Sequence, residues 1–265
     1  MALMLWTLFI GYALIVLVAA VYQRRLIYFP TKFSPQLALG VAKQNGFAPW
    51  LDGSREIVGW KLAADRLSLG SVLVTHGNAG CALDRDYLAK RIHAGLPLDV
   101  YLLEYPGYGA RDGTPSMGSI LAAAETAFDS LPKDKPIFLV SESLGAGVVA
   151  HLAKTRPDRV KGLALFVPYD DLACVGQAAM PFLPVKLMMR DRFQPARWLE
   201  SYRGPVQVVL AGADEVIPTK FGQRLFDSYQ GPKRLQIIPR ARHNEVTEQS
   251  PEWWQEVFAF WQQTN

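Results

Sequence analysis

The chain has 265 residues, 50% of them hydrophobic, with a formal net charge of +4 and a pI near 9.0. That length supports one large core or two small ones, and basic residues scattered among acidic ones provide no stripe for a nucleic acid. Two cysteines, Cys81 and Cys174, exclude a disulfide framework and a cysteine-rich zinc site, and they read as small buried apolar residues.

Residues 2–21 carry no charge, and Arg24 and Arg25 follow them. About twenty apolar residues is the length a helix needs to cross the hydrocarbon core, with Trp6 and Tyr22 suited to the two interfaces. The rival reading is a cleaved signal peptide cut near Val18, Ala19 and Ala20. With no Lys or Arg ahead of a run this long, residues 1–25 are expected to be an uncleaved transmembrane anchor, and 26–265 the soluble domain. Arg24, Arg25 and Lys32 place that domain on the cytoplasmic side by the positive-inside rule.

After the anchor, residues 26–53 contain Pro30, Pro35 and Pro49 and are expected to be a connecting segment. Residues 54–63 alternate apolar and polar, which predicts a half-exposed antiparallel edge strand. Continuous apolar runs at 71–75, 99–104, 136–141, 161–167, 205–210 and 233–238 predict buried strands. Helical patterns at 83–93, 117–131, 144–155, 219–229 and 252–262 alternate with them. Such alternation builds βαβ units, a mostly parallel sheet covered by helices on both faces, with ligands at the carboxyl ends of the strands. Residues 171–203 fall outside the alternation and are expected to form a small, irregular helical cap rich in Met and Phe.

The stretch around which the domain is organised is Ser141-Glu142-Ser143-Leu144-Gly145. A strand runs into it and a helix leaves it, as in a nucleophile elbow that lifts one serine clear of a parallel sheet. The usual elbow is G-x-S-x-G, and here Ser141 stands in the first glycine position. At the end of the 71–75 strand lies His76-Gly77-Asn78-Ala79-Gly80, which fits neither a dinucleotide fingerprint nor a P-loop. As an oxyanion loop it would supply one amide from Asn78 or Ala79, the other coming from Leu144.

Ser143 needs a base. Of four histidines, His93 and His151 lie within predicted helices and His76 braces the oxyanion loop, whereas His243 occupies a loop after the last strand. Asp214 follows the 205–210 strand and is the carboxylate expected to orient His243, with neighbouring Glu215 and with Asp170 and Asp171 as rivals. The chain order Ser143, Asp214, His243 suits an α/β-hydrolase triad. Tyr105 and Tyr108, in the Tyr-Pro-Gly-Tyr-Gly loop at 105–109, are expected to wall a substrate pocket.

With these motifs the chain resembles the α/β-hydrolase superfamily, specifically its membrane-anchored, short-cap branch of depalmitoylase-like and lysophospholipase-like proteins. The resemblance covers nearly the whole chain: Arg-Leu-Ile-Tyr-Phe-Pro at 25–30, Asp52 and Gly53, Gly59 and Trp60, the two glycine loops, the elbow, Leu-Pro-Val-Lys at 183–186, and the Asp214 and His243 loops. It implies a serine hydrolase cleaving esters or thioesters of lipid-like acyl groups, with no metal or cofactor. A peptidase or acyltransferase using the same triad, or a non-catalytic membrane-anchored binding protein, remain as alternatives. Oligomeric state is not legible.

Overall fold

The computed structural model describes residues 1–263. The apolar N-terminal run forms one helix, α1 (Ala2–Ile27), of 26 residues and about 39 Å at ~1.5 Å rise. By length and composition it suffices to cross a membrane, and its apolar window is not buried against the rest of the chain.

The following stretch is not the plain connector expected. It holds β1 (Phe29–Pro30), α2 (Pro35–Gln44) and β2 (Ala48–Leu51). Pro35 does not break structure here. It takes the first helical turn, where its missing N–H has no partner to lose, and Ser34 Oγ accepts the Leu37 amide at 3.3 Å. Gly46, with φ +83°, reverses the chain just past the helix. Pro49 lies in the outermost strand, where a ladder donor can be spared.

The alternation then proceeds through β3 (Ile57–Leu62), β4 (Ser71–Thr75), β5 (Ala79–Gly80), a 3₁₀ turn at Ala82–Arg85 and α3 (Asp86–Gly95). Next come β6 (Asp99–Leu103), α4 (Met117–Asp129), β7 (Ile137–Glu142), α5 (Gly145–Thr155) and β8 (Val160–Phe166). The expected cap comprises α6 (Leu172–Ala179), α7 (Val185–Met188) and α8 (Pro195–Trp198). Last are β9 (Val206–Ala211), α9 (Thr219–Ser228), β10 (Lys233–Ile238) and α10 (Pro251–Gln263).

The main sheet runs β10-β9-β8-β7-β4-β6-β3-β2. From β10 to β6 the strands are parallel, while β3 is antiparallel to β6 and β2 to β3. The expected edge strand is thus antiparallel but not at the edge, because β2 covers its outer side. Strand residues alternate between two cores. Leu73, Leu139, Leu163 and Val208 face one layer with α4 and α5, and Val72, Val140, Ala164 and Val209 face another with α3 and α10. A sheet buried on both faces leaves its strand ends as the place for chemistry.

Candidate active site

Ser143 follows β7 with φ +52°, a left-handed conformation unusual for a residue with a Cβ. Its amide donates to the Phe166 carbonyl at 2.9 Å, which fixes the turn to the end of β8. Gly145 opens α5 directly against β4. A Cβ there would lie 2.4 Å from the Thr75 carbonyl oxygen, so the helix can start this close to the sheet only on glycine. Glu142, one residue ahead of Ser143, accepts a bidentate pair from Arg85, with Nε to Oε2 at 2.8 Å and Nη2 to Oε1 at 3.1 Å. Both side chains are nearly enclosed, so this bridge ties the elbow to the turn after the glycine loop. The sequence carried no signal for it beyond a charged residue inside the elbow. Ser141 is fully buried in β7, opposite Thr75 and Leu165, and its hydroxyl has no partner among the described residues.

The loops after β9 and β10 bring Asp214 and His243 together. His243 Nδ1 lies 2.8 Å from Asp214 Oδ2 and 3.0 Å from Oδ1, with both side chains buried. Oδ1 also accepts the amides of Val216 (2.9 Å) and Ile217 (2.7 Å), so the carboxylate is fixed by its own turn. An acceptor this close keeps the proton on Nδ1 and leaves Nε2 free as a base. No hydrogen bond joins His243 to Ser143 among the described residues; such contacts commonly tighten only once substrate is bound. The rival carboxylates are engaged elsewhere. Asp170 binds Arg224 Nε at 2.7 Å, and Asp171 caps α6 through the Ala173 amide while binding Arg192. Among the described residues, Glu215 Oε2 accepts only the His243 backbone amide, at 3.4 Å. His93 meets Asp65 and His151 meets Glu125, both away from the strand ends.

Asn78 in the glycine loop and Leu144 in the elbow each present a backbone amide with no acceptor recorded among the described residues. Asn78 is held from the α1 side: its Nδ2 donates to the Ile27 carbonyl at 2.8 Å, and its carbonyl accepts from Phe29 N at 2.9 Å. Ala79 instead sits in β5, paired with Phe29 and turned to solvent, so of the two donors expected here Asn78 is the one beside Ser143.

Tyr105 and Tyr108 require a correction. Both are fully buried and neither reaches the pocket. Tyr105 OH donates to the His76 carbonyl at 2.8 Å and Tyr108 OH to the Asn78 carbonyl at 2.7 Å, so they brace the glycine loop from behind. An aromatic in a glycine-rich loop reads the same from sequence whether it faces a ligand or a backbone carbonyl. His76 is packed between the two rings, and its Nδ1–H donates to the Gly77 carbonyl at 2.8 Å. Its Nε2 then faces Glu104 Oε1 at 3.7 Å. Burial pushes His76 down to about 3, helped by the Arg85 charge, and burial pushes Glu104 up to about 7. Near neutrality they are therefore not an ion pair: the imidazole is neutral and the carboxyl shares its proton with solvent only near pH 7.

A family model for the alpha/beta hydrolase fold matches residues 70–215. An uncharacterised protein of Mycobacterium tuberculosis is 35% identical over 231 residues, covering 84% of this chain and 81% of its own length. The chain belongs to the α/β-hydrolase family. A lysophosphatidylserine lipase of Danio rerio is a more distant relative of this hydrolase, 24% identical over 216 residues, covering 72% of this chain and 56% of that protein. Among solved structures, a monoacylglycerol lipase of Paleococcus ferrophilus superposes with a TM-score of 0.56 at 20% identity, over 77% of this chain and 96% of that one. That last likeness is one of fold.

Above Ser143 the hydrolase has a cavity of about 180 Å³. Its floor includes Asn78, Ser143 and Leu144, and Tyr169, whose hydroxyl donates to the Leu144 carbonyl at 3.2 Å, stands beside them. Cap residues form one wall, and Val216 and Ile217 of the Asp214 turn another. The remaining wall is α1 itself, through Ala19, Gln23, Leu26 and Ile27. From the sequence alone, the apolar N-terminal helix reads as separate from the site. The available signal was Gln23, an uncharged polar residue at the end of an apolar run. It is buried, taking the Arg190 amide at 2.7 Å and donating to the Met188 carbonyl at 3.1 Å.

Proposed function

We propose that this protein is a membrane-anchored serine hydrolase that cleaves carboxylic esters or thioesters of lipid-like acyl groups through Ser143, His243 and Asp214. The observation that carries this reading is the buried Asp214–His243 pair at the strand ends flanking a serine in a left-handed elbow. In the first step Ser143 Oγ forms a bond to the acyl carbon as His243 Nε2 takes its proton, with Asp214 holding the imidazolium. The amides of Asn78 and Leu144 donate to the developing oxyanion, each contributing on the order of 3 kcal/mol in such sites. The proton on His243 passes to the leaving alkoxide or thiolate, leaving an acyl-serine. Water, deprotonated by His243, then releases the carboxylate and restores Ser143. Nothing in this sequence requires a metal or cofactor.

Residues 1–25 serve as the anchor, with helix α1 running on to Ile27, and 26–265 as the catalytic domain. The anchor reading is supported by its integration: Gln23 and the Arg24–Asp191 pair (Nε to Oδ2, 3.0 Å) bind it to the cap, a role a cleaved leader would not fill. Arg24, Arg25 and Lys32 favour a cytoplasmic domain. The activity printed for one relative, a lysophosphatidylserine lipase, favours esters of lipid acyl chains. The test is turnover of p-nitrophenyl butyrate, a matched thioester and a matched anilide by the full chain in detergent. The ester and thioester should be cleaved and Ser143→Ala should abolish both. Preference for the anilide would instead indicate a peptidase, and turnover surviving Ser143→Ala would refute the assignment. A reporter fused after Asn265 that is active only outside the cytoplasm would overturn the orientation.

A further inference from the structure

We propose that the tip of the cap, residues 180–188, is embedded in the membrane leaflet beside α1, and that acyl substrates reach Ser143 sideways from the lipid through a cavity walled by the anchor. This rests on the hydrolase reading above. Three observations converge on it.

The first is position along the anchor. Tyr12 OH donates to the Phe182 carbonyl at 2.9 Å, so the cap tip lies at the level of Tyr12. Twelve residues separate Tyr12 from Arg24, about 18 Å of helix at ~1.5 Å per residue. Half of a ~30 Å hydrocarbon core is about 15 Å. If Arg24 sits at the interface, the tip reaches one leaflet deep.

The second is surface chemistry. Phe182 and Leu187 are 87% and 89% exposed, and between Leu172 and Met189 the only charged residue is Lys186, whose long stem permits snorkelling. These side chains continue the bare apolar surface of α1.

The third is how the irregular backbone at the tip is satisfied. Lipid offers no water, so non-helical backbone at membrane depth must find its partners inside the protein. Here it does. Gln177 Nε2 donates to the carbonyl of Leu183 at 2.8 Å and to those of Met180 and Pro181 at 3.4 Å. Tyr12 takes Phe182, and Leu187 N donates to the Pro184 carbonyl at 3.0 Å. Two polar side chains, Gln177 and Tyr12, thus serve a loop that in water would need neither.

The cavity follows from the same arrangement. Ala19, Gln23, Leu26 and Ile27 form one stripe of α1 and line the space above Ser143, opposite Met180 and Leu183. An acyl chain lying in the leaflet along α1 can enter between helix and cap, leaving its polar end at the Asn78 and Asp214 loops.

The experiment uses the full chain reconstituted in phosphatidylcholine vesicles, with two readouts. In a Leu187→Cys, Cys174→Ser background, Cys81 being fully buried, a nitroxide is attached at position 187. Relaxation by dissolved oxygen exceeding that by a water-soluble nickel chelate is expected; the reverse overturns the embedding. In parallel, Phe182→Asp with Leu187→Asp is assayed on 4-methylumbelliferyl oleate dissolved in the vesicles and on p-nitrophenyl butyrate in water. Oleate turnover should fall about tenfold or more, because aspartate resists hydrocarbon, while butyrate turnover stays within about twofold. Equal effects on both esters, or none on either, would overturn lateral access. If the wild type cleaved neither ester, the hydrolase reading and the access route would fail together, and the nitroxide would still decide where the cap lies.

Discussion

Replacing Ser141 with alanine should make the protein more stable. Ser141 fills the position usually given to the first glycine of the elbow, on the face of β7 that also carries Leu139, and it is fully buried. Its hydroxyl has no hydrogen-bond partner among the described residues. A buried, unsatisfied polar group costs about 1–3 kcal/mol relative to an apolar one of similar shape. Alanine removes that penalty and loses only the dispersion contacts of one oxygen, on the order of 0.5 kcal/mol. The net gain is about 1 kcal/mol, or a rise in Tm of roughly 2–4 °C for a domain of this size. Glycine removes the same hydroxyl but adds backbone freedom worth roughly 0.5–1 kcal/mol in a strand, so Ser141→Gly should come out near wild type. The assay is thermal and urea unfolding of the three proteins in one detergent, with ester turnover measured beside it. The expected order is alanine above glycine and wild type, with turnover unchanged within about twofold, since the elbow is fixed through Ser143 N and Phe166 O. An alanine variant less stable than wild type would refute the reasoning, because the hydroxyl would then have a partner such as a trapped water.

Asp214→Asn should lower kcat by roughly 10³–10⁴-fold with little change in Tm, because an amide facing Nδ1 favours the wrong imidazole tautomer; steady-state kinetics with circular dichroism melts check it. Glu104→Gln should alter the pH dependence of stability. The Glu104 carboxyl is raised from 4.5 to about 7, so its stabilisation is full below pH 4.5 and is lost as pH rises through 7. His76, lowered from 6.5 to about 3, acts in the opposite sense, its contribution being full above pH 6.5 and lost as pH falls through 3. Relative to wild type, the glutamine variant should therefore gain stability between pH 5 and pH 8, by roughly 3 kcal/mol at most at ~1.4 kcal/mol per pKa unit; an equal difference at both pH values in urea titrations would contradict it. Gly145→Ala should cost about 1–3 kcal/mol by pushing α5 off the Thr75 and His76 carbonyls, and should reduce turnover by displacing the Leu144 amide; unfolding and kinetics together test both effects.

Much of this was legible in the sequence because the parallel sheet writes itself as continuous apolar runs and the proposed active residues follow strand ends. The loops bearing Asn78, Ser143, Asp214 and His243 could be placed from that rule without any side-chain geometry. Four things were not legible. Pro35 looked like punctuation, although Ser34 before it and Gly46 beyond gave the start and stop of α2. Tyr105 and Tyr108 looked like pocket walls, because residue type does not disclose which way a loop side chain turns. Helix α1 reads as a tether, because hydropathy reports the apolar surface of a helix and is silent about the stripe from Ala19 to Ile27 that closes the cavity. The Arg85–Glu142 bridge joins residues 57 positions apart, a distance at which pairing is invisible without the fold.

The most direct test of the central claim is labelling of the full-length protein with a fluorophosphonate, followed by mapping of the modified peptide. The phosphonyl adduct should sit on Ser143 and disappear in Ser143→Ala, and its rate of formation should collapse in His243→Ala, because the base that removes the Oγ proton is gone. Absence of any adduct on folded wild-type protein, or an adduct whose rate ignores His243, would contradict a triad of Ser143, His243 and Asp214.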